Sequence, residues 1–243
     1  MLPRYLALAE AMMREADRVA TEATQFLRTS GYEMTARDRV LTALASKADG
    51  TFRALVEDCR AQRGEAMHHL KTLVEVFIYF HATSDDPTDR TARGLLADRV
   101  AGEHAKRLRE IEPGSQELLD WQSVRDDLRQ EANEVSGLVQ LAGPLASPLR
   151  TWYARVYRLA CQSAHIGDLF TWMPSDDDEV MVGDAARSAI GPLQASTAMY
   201  YAIEIVLGLF ETIGAGNQAG LQIDARPFRA EMSVIRERTK ETS

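Results

Sequence analysis

Cysteine is nearly missing from this chain. Only Cys59 and Cys161 occur in 243 residues, and both fall in amphipathic helical segments instead of evenly spaced loops, so a disulfide scaffold and a thiolate-based zinc site are both excluded. That usage fits a reducing cytoplasm, and a cytoplasmic protein is expected. Positive charge is also short. Lys and Arg total 28 against 36 Asp and Glu, a formal charge of −8, which repels phosphate backbones unless the basic residues gather on one face. The opening MLPRYLALAEAMMREAD has no continuous apolar run and no small-residue cleavage site, and it carries acids early. It reads as the first helix of a mature protein.

No strand-like alternation of any length is present, nor a repeat with a period of about 20–50 residues. One stretch approaches membrane-spanning length, ASTAMYYAIEIVLGLF at 195–210. Glu204 lies near its middle, where an acid costs about 2.5–3.5 kcal/mol on insertion scales. A buried core helix, with no membrane partner, is the expectation.

What remains is helix, at 45% hydrophobic content, enough to bury a core in one large domain. Pro3 opens a helix to about Arg28, with Leu6, Ala9, Met13, Ala16, Ala20, Ala23 and Leu27 at three- and four-residue steps. TSGY ends it, and Thr35 with Asp38 forms a capping box for a second helix toward Arg60, weakened at Gly50. AMHHLKTLVEVFIYFHA is apolar on most faces and reads as a central helix. Polar helices follow at 88–111 and 115–141, the latter striped by Leu118, Trp121, Val124, Leu128, Val135 and Leu138, and both belong on the outside. Helices at 149–172, at 192–213 and from about Pro227 complete an all-α, single-domain bundle of about seven helices. Its parts are an N-terminal helix over 1–34, a bundle core over 35–215 and a C-terminal helix over 216–243.

The chemistry-bearing residues concentrate in WYARVYRLACQSAHIGDLF, residues 152–170. Arg158 and His165 are seven positions apart and share a helix face, with Cys161 between them, and their Cα atoms lie about 10 Å apart. Such a pair can act on a phosphoryl group, His165 moving the proton and Arg158 neutralising charge. It can equally be a satisfied pair in a core helix. Arg63 and His68 are a poorer pair, about 140° apart on the wheel. Glu75 and Glu204, flanked by apolar residues, call for partners such as Lys71, Arg158 or His165, so a core polar cluster of Lys71, Glu75, Tyr157, Cys161 and Glu204 is expected.

Metal is not expected. EAMH at 65–68 is a single Glu-x-x-His, whereas a di-iron bundle needs two. The DDDE run is unspaced and lacks the glycine turn of a hard-cation loop. No cofactor is implied. Residues 90–109 carry six basic side chains against Asp98 and Glu103, a local surplus that guides RNA only if it lies near His165.

The spacing in VYRLACQSAH resembles the Arg-x6-His motif of the helical HEPN superfamily, which implies a metal-independent ribonuclease acting as a face-to-face homodimer on RNA, with Arg158 and His165 as its catalytic pair. Leu159 stands where those enzymes commonly carry a polar residue. More broadly, LKTLVEVFIYFHATSDDPTDRTARGLLADRV followed by YRLACQSAH resembles the bacterial domain-of-unknown-function 5677 family over roughly 35–215. Lys71 and Glu75 match its first motif and Tyr157, Cys161 and His165 its second, with Cys161 in place of the usual serine and Lys71 in place of the common arginine. That family implies a fold and no activity. The favoured expectation is a binding or regulatory component without its own catalysis, its partner a protein or a small molecule. The ribonuclease is the alternative.

Overall fold

The fold is that of a computed structural model, which describes residues 1–130, 190–216 and 223–241 together with Val156. Among them the chain is helical and has no strand. The first helix, α1 (Leu2–Thr29), carries a proline in its first turn and buries Tyr5, Leu8, Ala9 and Met12, the i, i+3, i+4, i+7 pattern of one helix face. Beyond Met12 no residue of α1 is fully buried. The apolar stripe read from the sequence runs on through Ala16, Ala20, Ala23 and Leu27, but that half of the helix stands off from the core.

Gly31, in a left-handed conformation at φ +65°, turns the chain toward α2 (Ala36–Arg60). The expected capping box is present: Thr35 Oγ1 accepts from the Asp38 amide, and Asp38 accepts from the Thr35 amide at 2.9 Å. Gly50 does not interrupt α2. The two helices run antiparallel, as shown by Arg53 on Asp17 at 2.7 Å and Arg60 on Glu10 at 2.7 Å.

The central helix is α3 (Glu65–Ser84). It buries ten residues, Leu70, Leu73, Phe77 and Ile78 among them, as expected of a helix apolar on most faces. It packs on α2 and on α7 (Pro192–Gly216). Within α7, Pro192–Ile213 is long and apolar enough to cross a membrane by composition, with a mean hydropathy of 1.3, yet 61% of that stretch is buried inside the protein. Its Ala198, Met199, Ala202, Ile203 and Leu207 meet α1, α2 and α3. The last helix, α8 (Arg226–Glu241), adds Met232 and Ile235 to the same core.

The polar helix expected over 88–111 is instead α4 (Arg90–Leu95), a π-helical turn (Leu96–Ala101) and α5 (Gly102–Ile111) on one path. Gly102 supplies the reason. Its amide bonds the carbonyl of Ala97 five residues back, and a Cβ there would lie 3.1 Å from that oxygen, tighter than a larger residue accepts without adjustment. The helix α6 (Gln116–Gln130) packs beside it, with His104 stacked on Trp121 at 4.5 Å between ring centroids. This hairpin is peripheral, as its sequence implies: α5 buries only Ala105 and α6 only Leu118, while Leu119 and Val124 are exposed.

Candidate functional site

The half of α1 that leaves the core opens a slot. A cavity of about 590 Å³ lies between α1 and α2, closed on a third side by the end of α3 and by Val206, Leu209 and Phe210 of α7. Its origin is legible in side-chain size. Ala16, Ala20 and Ala23 on α1 face a wall that includes Ala45 and Ala48 of α2, while larger groups occupy the ends: Phe26 and Tyr32 at one, Met12 and Phe52 at the other. Bulky residues set the helix separation and alanines between them leave it unfilled. The lining extends from Met12 to Leu27 on α1 and from Arg37 to Phe52 on α2, about 22 Å along each axis at 1.5 Å per residue. Because the helices are antiparallel, the Leu27 end and the Arg37 end coincide. There the rings of Phe26 and Tyr32 meet at 6.0 Å.

Four charged residues line the slot: Asp17, Asp49, Asp38 and Arg37. Asp17 and Asp49 are both paired with Arg53. Asp38 accepts from the Thr35 amide, the Thr35 hydroxyl and the Tyr32 hydroxyl, the last two at 2.8 Å. Burial pushes its carboxyl upward, but those hydrogen bonds and the adjacent Arg37 outweigh it and leave Asp38 below the usual aspartate range. Arg37 differs from the other three. Its guanidinium donates from Nη2 to the carbonyl of Ser84, which closes α3, and its Nε is buried with no hydrogen-bond partner among the described residues. Nearby Thr212 of α7 also lines the slot and lies 3.4 Å from His81 Nε2.

Arg158, His165, Tyr157 and Cys161 lie outside the described residues. Lys71 and Glu75 are both half-buried, one turn apart on α3. Glu204, with a side chain 12% exposed, is met by Arg229 of α8, whose Nε and Nη2 also reach Glu211 at 2.8 and 3.0 Å. No local spacing pointed to Arg229, because its partner lies 25 residues away on another helix. The network extends to Arg236, whose guanidinium sits 6.0 Å from the Tyr200 ring. Burial raises the pKa of both Tyr5 and Tyr200 beside it. This is a tie between α7 and α8.

A second polar group escaped the sequence reading altogether. Asp58, buried near the end of α2, accepts from Arg63 at 2.9 Å and from His69 Nε2 at 3.1 Å. The histidine beside Arg63 in space is therefore His69, while His68 is exposed. With the Arg63 amide bonding the Asp58 carbonyl at 2.8 Å, the trio clamps a turn in which Gln62 is left-handed at φ +54°, a conformation that costs a residue with a side chain. The Gln62 carbonyl in turn accepts from the Ile190 amide at 2.8 Å, tying the start of α7 to the same turn. Cys59, next in sequence to Asp58, is wholly buried, which pushes its thiol up to about 12 and leaves it a core residue. Among the described residues no three His, Cys, Asp or Glu side chains converge as a metal would need, and Glu65 and His68 of the EAMH stretch are exposed. No family model, no curated protein and no solved structure matches the chain.

Proposed function

We propose that the chain is a binding protein for an apolar small molecule, held in the slot between α1 and α2. The observation that carries this reading is the slot itself. Its volume of about 590 Å³ falls within the range of about 300–1,000 Å³ typical of ligand sites. Its walls are mostly alanine, methionine, leucine and phenylalanine, with Arg37 and Asp38 at one end and Asp17 and Asp49, both paired with Arg53, toward the other. An open apolar cleft of this size leaves its walls facing water; a bound ligand removes that area from solvent. The polar cluster around Glu204 and the Asp58 trio are internally paired.

Titration with Nile red, a neutral apolar dye, tests the reading. One dye per chain is expected to bind, with a blue-shifted emission. The double substitution Ala16→Phe and Ala45→Phe, which fills the slot from both walls, is expected to weaken binding at least about tenfold without lowering the melting temperature, since the added rings occupy existing space. Dye that binds the filled variant as well as the wild type would overturn the assignment.

A further inference from the structure

We infer that the ligand is an elongated apolar acid, a long-chain carboxylate whose chain lies along the slot and whose head reaches Arg37. This inference rests on the binding reading above and specifies its ligand. Shape is the first argument. The slot is about 22 Å long by helix rise yet has a volume of only about 590 Å³, proportions that suit a chain better than a fused-ring body. Along its middle Ala20, Ala23 and Ala45 are interspersed with Thr42 and Ser46, so an aliphatic chain meets only small side chains there.

Charge is the second argument. Polarity is asymmetric along the slot: at the Tyr32 end stands Arg37, and the carboxylates of Asp17 and Asp49 toward the other end are neutralised by Arg53. Among the described residues neither Arg37 nor its neighbour Asp38 has an ion-pair partner, and of the lining charges Arg37 alone keeps an unmet donor. Its Nε carries an unmet hydrogen-bond donor in a buried position, where an unpaired donor is unfavourable and a carboxylate is the acceptor that best satisfies a guanidinium. Turning the guanidinium away from the Ser84 carbonyl toward the slot presents that donor to a ligand head, whose carboxylate replaces the bond given up. Asp38, held ionised beside it by Thr35 and Tyr32, offsets the Arg37 charge at short range, which disfavours a doubly charged phosphate head more than a singly charged carboxylate.

The test uses the full chain at pH 7.5 and two fluorescent probes of one shape, cis-parinaric acid and its methyl ester. The acid is expected to bind at least about tenfold more tightly than the ester, the scale of one charge-assisted hydrogen bond. In Arg37→Gln the two probes are expected to bind within about twofold of each other, and Arg37→Lys to keep part of the preference. Because the wild-type comparison needs no variant, misfolding of either substitution does not blunt it. Equal binding of acid and ester to the wild type overturns the carboxylate inference and leaves the binding reading standing. Binding of neither overturns both, and elution of that unliganded protein at twice the monomer mass would identify a second copy of the chain as the occupant.

Discussion

At the scale of single residues, burial has converted several reactive side chains into packing. Cys59 is one, and His81 is the more informative. Its ring sits edge-on to Phe77 at 4.4 Å and beside Thr212, and burial lowers its pKa against the weaker opposing pull of Asp85. A histidine whose folded pKa is depressed binds fewer protons folded than unfolded, so stability must rise with pH across the interval between the two values. The penalty is absent above the unfolded value of about 6.5 and grows as pH falls through it toward the folded value. Urea denaturation at pH 7.5 and 5.5 is expected to give a lower midpoint at the acid end. His81→Gln, which cannot titrate, is expected to flatten that difference; an unchanged slope would assign the pH dependence to other groups. The aspartates held low by hydrogen bonds, Asp38 and Asp86, act in the same direction only at more acid pH.

Among the elements, α2 offers the clearest separation of local propensity from packing. Gly50 lies on its exposed face, and a Cβ there would meet nothing within 4 Å. The glycine therefore contributes only backbone freedom to the unfolded chain, and Gly50→Ala is expected to stabilise the protein by about 0.4–1 kcal/mol. Thermal melts check this, and a lowered melting temperature would mean that the position does more than complete a helix. Elements were legible from sequence where their signals were local: the Thr35–Asp38 capping box and the start of the last helix near Pro227 both stand where composition put them. The π turn at Leu96–Ala101 was not, because a widened turn changes no periodicity a short window detects. The partner of Glu204 was not either, since Arg229 is brought to it by the docking of α8.

For the whole molecule, the stripe read on α1 and the face that became core share only Ala9: Leu6 and Met13 are half-buried, while Tyr5, Leu8 and Met12, which the stripe left out, are buried. Positions 5, 8, 9 and 12 are buried, whereas the alanines at 16, 20 and 23 line the slot; periodicity reports which face is apolar and says nothing of whether the opposing wall is close enough to touch it. That division has a dynamic consequence. Helical amides in a segment with few packed contacts open more readily than those anchored in a core, so amide hydrogen exchange is expected to be faster for residues 16–29 than for residues 5–15. A ligand in the slot supplies the missing wall. Binding favours the closed, folded form by RT ln(1 + [L]/Kd), about 2.7 kcal/mol at a hundredfold excess over Kd, and the gain is expected to concentrate in the segments that line the slot. Saturation with cis-parinaric acid should therefore slow exchange in 16–29 and at the start of α2 while leaving the α5–α6 hairpin unchanged. Equal protection of every helix would instead indicate global stabilisation from a site elsewhere, and unaltered exchange in 16–29 would remove the ligand from the slot.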